Sequence, residues 1–226
     1  MTRASTFLSD SDKARVEQAI ADAEKQTSAE ILVVVATRSG RYDRAEDFFG
    51  VLLALLAVAL AWWLWQDLRP ADGDWALGHD LTLGLLPILG LFVFWFLVGV
   101  GLATRFPVLA HPFIPRAQYE AEVRRRGFEA FHLFRVGHTK GRTGVLIYVS
   151  LIEKMAWVVG DDAINQAVPQ TTWENATQAI TTGISNGKHA DALVEAVKLC
   201  TEALAPKLPR AADDRDELPN TVRLLD

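Results

Sequence analysis

Two stretches without a single charged residue, Phe48–Trp65 and Leu81–Ala103, constrain this chain more than anything else in it. As helices rising 1.5 Å per residue they would be about 27 and 34 Å long, the thickness of a hydrocarbon core. A soluble core helix with no polar face needs a far larger protein around it than 226 residues allow. The expectation is therefore two transmembrane spans at 48–65 and 81–103, forming a hairpin at 48–103. Pro87 in the second span is tolerated in a membrane helix, and Trp62, Trp63 and Trp65 stand where an aromatic belt forms.

Orientation follows from the flanks. The segment from Gln66 to Asp80 sets Arg69 against Asp67, Asp72, Asp74 and Asp80, whereas Arg38, Arg41 and Arg44 precede the first span and Arg105 and Arg116 follow the second. The positive-inside rule then predicts an inner-membrane protein with two spans, both termini in the cytoplasm and only the short loop crossing. The start of the chain turns polar at once, unlike a signal peptide. Cys200, at helical spacing with Leu193, Val197 and Leu204, reads as core filling.

Residues 105–142 hold eight Lys or Arg against three Glu, and residues 151–226 hold seven against twelve acids. The basic part adjoins the spans. Arg124, Arg125 and Arg126 have two readings: a contact with anionic headgroups, worth about 1 kcal/mol per basic residue, or an ordinary solvated helix face.

With the spans set aside, residues 1–47 and 105–206 read as one discontinuous domain. Val16, Ala19, Ile20 and Ala23 recur at helical spacing behind a cap at Ser9 or Ser11, and the apolar octet EILVVVAT, residues 30–37, is a buried strand. Val123, Gly127, Ala130, Phe131 and Phe134 form another helical face. GVLIYVS and MAWVVG follow so closely that they predict an antiparallel hairpin turning at Leu151–Lys154. A short helix, Asp162–Val168, stops at Pro169, and two more helices carry Trp173–Ile184 and Leu193–Leu204. The predicted class is α/β: a small mixed sheet flanked by helices on both faces, an α/β/α sandwich. Residues 207–226, with Pro and many charges, are expected to be disordered.

The words TSAEILVVV, GHTKGRTGVLIYVSLIEK and VVGDDAINQAVPQTTW resemble the TPM domain family. Its members include a thylakoid-lumen acid phosphatase, a photosystem II repair factor and a nematode acetylcholine-receptor modulator. The resemblance covers residues 8–47 and 117–206 and is to the bacterial branch that carries an inserted membrane hairpin. The matching positions are Thr139, Thr143 with Gly144, Leu146–Ser150, Asp161 with Ile164, and Trp173. Ala163 departs from the family's usual Gly, which predicts a plainly helical turn there. Acid phosphatase activity and calcium binding belong to the lumenal relatives.

Chemistry is sparse. The loop from Gly137 to Gly144 has glycines and bases but lacks Walker spacing and runs into a strand, so Lys140 and Arg142 are either an anion clamp or a solvated basic turn. The histidines show no ligand spacing. Asp161 and Asp162 either cap and charge a helix start or hold a divalent cation, Mg²⁺ or Ca²⁺, with Glu153 a further acid to consider. No cofactor and no nucleic-acid partner are expected. The leading expectation is a non-enzymatic module that binds a membrane protein or the bilayer surface. The alternative is a metal-dependent acid-phosphatase-like hydrolase using Asp161.

Overall fold

A computed structural model describes residues 3–65, 84–210 and 217–226. The expected loop 66–80 and the first residues of the second span lie outside these. The chain divides into two compact units, residues 1–40 with 117–226, and residues 41–116.

The first unit is a mixed α/β layer structure. Helix α1 (Asp10–Glu24) begins where the Ser9 hydroxyl accepts the Asp12 N–H, and it leads into β1 (Glu30–Ala36), every residue of which is buried. Helix α4 (Arg116–Leu133) precedes β2 (Gly144–Ser150), and a turn joins this to β3 (Met155–Gly160). Helices α5 (Asp162–Ala167), α6 (Gln170–Ser185) and α7 (His189–Leu204) follow, and β4 (Arg223–Leu225) closes the order β3-β2-β1-β4. β1 runs parallel to β2 and β4, and β2 pairs antiparallel with β3 from Val145↔Gly160 to Ser150↔Met155. Period-two alternation sends Ile31, Val33, Val35, Val145, Ile147 and Val149 into one core with α1, α6 and α7. Leu32, Val34, Leu146 and Tyr148 go to the other face beneath Val123 and Ala130 of α4. The mixed sheet with helices on both faces is the architecture expected from sequence.

The tail is a correction. Residues 217–226 are not disordered: β4 pairs Val34–Ala36 with Arg223–Leu225, the amides of Glu217 and Leu218 donate to Glu30, and that of Val222 donates to Glu17. Residues 207–210 are also placed, with Leu208 O accepting from Thr27 Oγ1 and Ser28 N. Composition argued for disorder; the apolar Leu218, Val222, Leu224 and Leu225, packed against the two cores, overrode it. Asp226 fastens the end, accepting from Ser5 N and Thr37 Oγ1, which holds its carboxyl down at about 2. A carboxyl whose folded pKa lies below its unfolded value of about 3.9 contributes stability above that value and loses it as pH falls through the folded one. The protection of Thr37 N, bonded to Leu225 O, against hydrogen exchange relative to its intrinsic rate is accordingly expected to fall between pH ~4 and ~2. Asp226→Asn should show the lower protection at neutral pH already, whereas no difference between the two proteins would refute the clamp.

The second unit holds α2 (Asp43–Trp65) and α3 (Leu85–Arg105), which pack against each other. α2 begins five residues before its charge-free run and α3 ends two residues after its own, because the first turn of α2 and the last of α3 include charged residues. Gly50, Ala54, Gly99 and Ala103 are buried, and a Cβ on Gly99 would lie 2.7 Å from the Gly50 Cα. Small residues thus let two backbones touch, as membrane helix pairs commonly do. At the base of the pair Thr104 Oγ1 donates to Glu46 Oε2 at 2.6 Å. Large side chains point outward: only 17% and 6% of the most apolar windows are buried. Both helices are long and apolar enough to span a membrane.

Candidate functional site

Asp161 and Asp162 sit where β3 becomes α5. The Asp161 amide donates to Gly144 O at 2.9 Å, extending the β2–β3 ladder by one step, and the backbone then turns from ψ 175° into the helix. Asp161 Oδ1 accepts the Asp162 N–H at 2.8 Å, and Asp161 O receives Asn165 N, the first bond of the helix. Asp161 therefore has the cap position, next to the positive end of the peptide dipoles. Its second oxygen, Oδ2, is buried without a hydrogen-bond partner among the described residues, and it faces Gly137, where a Cβ would come within 3.4 Å. Ala163 lies inside α5 with no positive φ, the plain helical turn that the missing Gly implied.

Asp162 points elsewhere. Its Oδ2 pairs with Arg142 at 2.9 Å, and the two side chains are 70% and 64% exposed. Arg142 itself has φ 52°, a left-handed conformation that a non-glycine residue adopts at a cost of about 1–2 kcal/mol. The loop is fixed from within, since Thr139 Oγ1 accepts Thr143 N and Thr139 O accepts Arg142 N. The Lys140 amide donates to Glu217 Oε2 at 2.8 Å. Two donors of the basic loop thus already meet carboxylates of the chain, one beside it and one from the tail. Sequence reasoning missed Glu217, because nothing in a polar tail marks the residue that folds back.

Glu153 is not part of this site. It lies just beyond the carboxyl end of β2, whereas Asp161 adjoins the amino end, a strand length of about 20 Å away. There it completes a buried polar network: Glu153 Oε1 accepts from Ser39 N at 2.9 Å and Gly40 N at 3.3 Å, and Oε2 accepts from Ser150 Oγ. Ser39 Oγ donates to Ser150 Oγ at 2.7 Å and contacts Tyr148 Oη at 3.0 Å. Burial pushes the Tyr148 phenol up to about 12, with the bond from Ser39 pulling the other way. The sequence signal was Tyr148 and Ser150, polar tips in an otherwise apolar strand.

On α4, Arg125 pairs with Glu122 and Glu129, and Arg126 with Glu129 at 2.7 Å. Such exposed helix pairs are worth only a few tenths of a kcal/mol each. Arg124 has no ion pair among the described residues and lines a crevice with Trp157, Asn165 and Trp173. Cys200 is buried in the core among α7 side chains, and desolvation raises its thiol to about 12, so it supplies no thiolate. Among the described residues no group of three or more His, Cys, Asp or Glu is placed to hold a metal ion.

A four-stranded mixed sheet with helices on both faces, interrupted after β1 by two long apolar helices, defines a split α/β domain. A family model matches it at residues 1–52 and 112–203, leaving out the stretch that contains most of α2 and all of α3. The chain belongs to the TPM domain family. The fold is similar to the NMR structure of the BA42 protein from the psychrophilic bacterium Bizionia argentinensis, at 23% identity and TM-score 0.56 over 96% of this chain and 94% of that one. A comparison with curated proteins gave no match.

Proposed function

We propose that this chain is a bacterial inner-membrane protein, held by α2 and α3 as a two-span hairpin with both termini cytoplasmic. Its TPM domain acts as a binding module for a membrane protein. The observation that carries the binding reading is the engagement of the Arg142 guanidinium by Asp162. A catalytic clamp needs that group free for its substrate. The membrane reading is supported by the outward apolar faces of α2 and α3, which would be uncovered in water. The headgroup contact proposed for Arg124, Arg125 and Arg126 falls mainly to Arg124, since the other two are paired with glutamates. Carbonate extraction should leave the full-length protein in the membrane pellet. A tag at the carboxyl end should resist protease in intact spheroplasts and be cut in opened ones; cutting in intact cells would overturn the topology.

A second reading is favoured by one atom. Asp161 Oδ2 is buried and has no hydrogen-bond partner among the described residues, and a Mg²⁺ or Ca²⁺ ion there would support a phosphatase-like hydrolysis. Arg142 would then have to leave Asp162 to clamp the anion. Hydrolysis by the full-length protein decides between the two readings.

A further inference from the structure

Lys154 stands where a glycine would be least strained. It closes the turn between β2 and β3, its amide donating to Leu151 O at 3.3 Å, and its φ of 53° lies in the left-handed region. The side chain is exposed and has no ion pair among the described residues. Its neighbour Glu153 is engaged elsewhere, both carboxylate oxygens being taken by Ser39, Gly40 and Ser150.

A crevice of about 330 Å³ opens beside this turn, within the first unit and at the carboxyl end of β2. Its wall is mostly apolar, built from Val149, Leu151, Met155, Ile180 and Ile184. Phe7 and His189 complete it with a flat surface, their rings stacked with centroids 4.3 Å apart and planes 18° from parallel. The hydroxyls of Thr181 and Ser185 also border it, but each donates within its own helix, to Thr177 O and Thr182 O. None of the described lining residues is acidic, so nothing in the wall offsets the charge of Lys154.

Apolar surface with a cation at its rim suits an amphipathic anion, whose tail leaves water while its head meets a charged donor. We propose that this crevice binds a small monocarboxylate with a short apolar tail, the carboxylate on the Lys154 ammonium and the tail along Phe7, Ile180 and Ile184. A bare inorganic anion would gain nothing from the apolar wall, and a neutral hydrocarbon nothing from the ammonium. The volume lies near the lower end of small-molecule sites, about 300–1,000 Å³, which matches a ligand of this size. This inference goes beyond the binding-module reading and shares no residue with it, since Arg142 and Asp161 lie at the amino end of β2.

The probe is hexanoate, titrated into the full-length protein in lipid nanodiscs with the methionine methyl groups labelled with carbon-13. The chain has two methionines, Met1 and Met155, so the Met155 methyl reports on the crevice directly. A saturable shift of that signal is expected. Butyrate, two methylenes shorter, should bind roughly fifteenfold more weakly, at about fourfold per methylene. Hexanamide, neutral and of the same length, should bind at least about tenfold more weakly, the size of one charge-assisted contact. Lys154→Gly should weaken hexanoate by that same factor and leave hexanamide unchanged, with a melting temperature equal to or above that of wild type because glycine takes this backbone without strain. A lost contact is thereby separated from a lost fold. No saturable shift at tens of millimolar hexanoate, or equal binding of hexanamide, would overturn the proposal. So would an equal shift in Lys154→Gly, which would assign the signal to uptake of the acid by the bilayer.

Discussion

Gly144→Ala is expected to destabilise the full-length protein by about 3 kcal/mol, at the upper end of the cost of overpacking. A Cβ at this position would fall far inside contact distance of the Val136 carbonyl oxygen and would also meet the Val136 side chain at 2.7 Å. The first obstacle is backbone, which cannot rotate away as a side chain does. Relief requires moving the turn at Val136–His138 or the start of β2, where Gly144 O also receives the Asp161 amide. At roughly 2–4 °C per kcal/mol for a domain of this size, the melting temperature should fall by about 6–12 °C. Gly141→Ala in the same loop is the control. Its Cβ would approach only Thr143 side-chain atoms, at 3.2 Å and beyond. Equal melting temperatures for Gly144→Ala and wild type would mean that the loop does not pack on the strand as described.

Glu153→Ala should cost a similar amount, about 3 kcal/mol, for a different reason. It strands the amides of Ser39 and Gly40 and the Ser150 hydroxyl in a buried place, and each unsatisfied donor costs roughly 1–3 kcal/mol before relaxation. Glu153→Gln keeps an acceptor for the Ser39 amide but loses one for Ser150, so about half the loss should return. The site matters because Ser39 and Gly40 are the last residues of the first unit before the chain enters the second. The two variants would separate a structural carboxylate from a merely exposed one, for which both changes would be silent.

How much of this was legible in the sequence depended on how local its cause was. The buried octet at β1, the close spacing of GVLIYVS and MAWVVG and the charge-free runs each carry their pattern within a few residues, and they led to the mixed sheet and the apolar pair. Asp161 was legible as a cap because a strand ending at Gly160 leaves the next acid at the helix start. The pairing of Asp162 with Arg142 was not, because it depends on Arg142 taking a left-handed backbone that its residue type does not announce. Nor was the separation of Glu153 from Asp161. Sequence places them eight residues apart, but β3 intervenes and carries them to opposite ends of the sheet. The tail was misjudged because its apolar residues are few and their partners, Glu17 and Glu30, lie some two hundred residues upstream.

In the proposed function this TPM domain binds rather than hydrolyses, and Asp161 serves the fold. The direct measurement is phosphomonoester hydrolysis by the full-length protein in nanodiscs, with Mg²⁺ or Ca²⁺ and again with EDTA, for wild type and Asp161→Asn. The same background rate is expected in all conditions and in both proteins. A rate in wild type that requires the cation and disappears in Asp161→Asn, with the melting temperature retained, would contradict it.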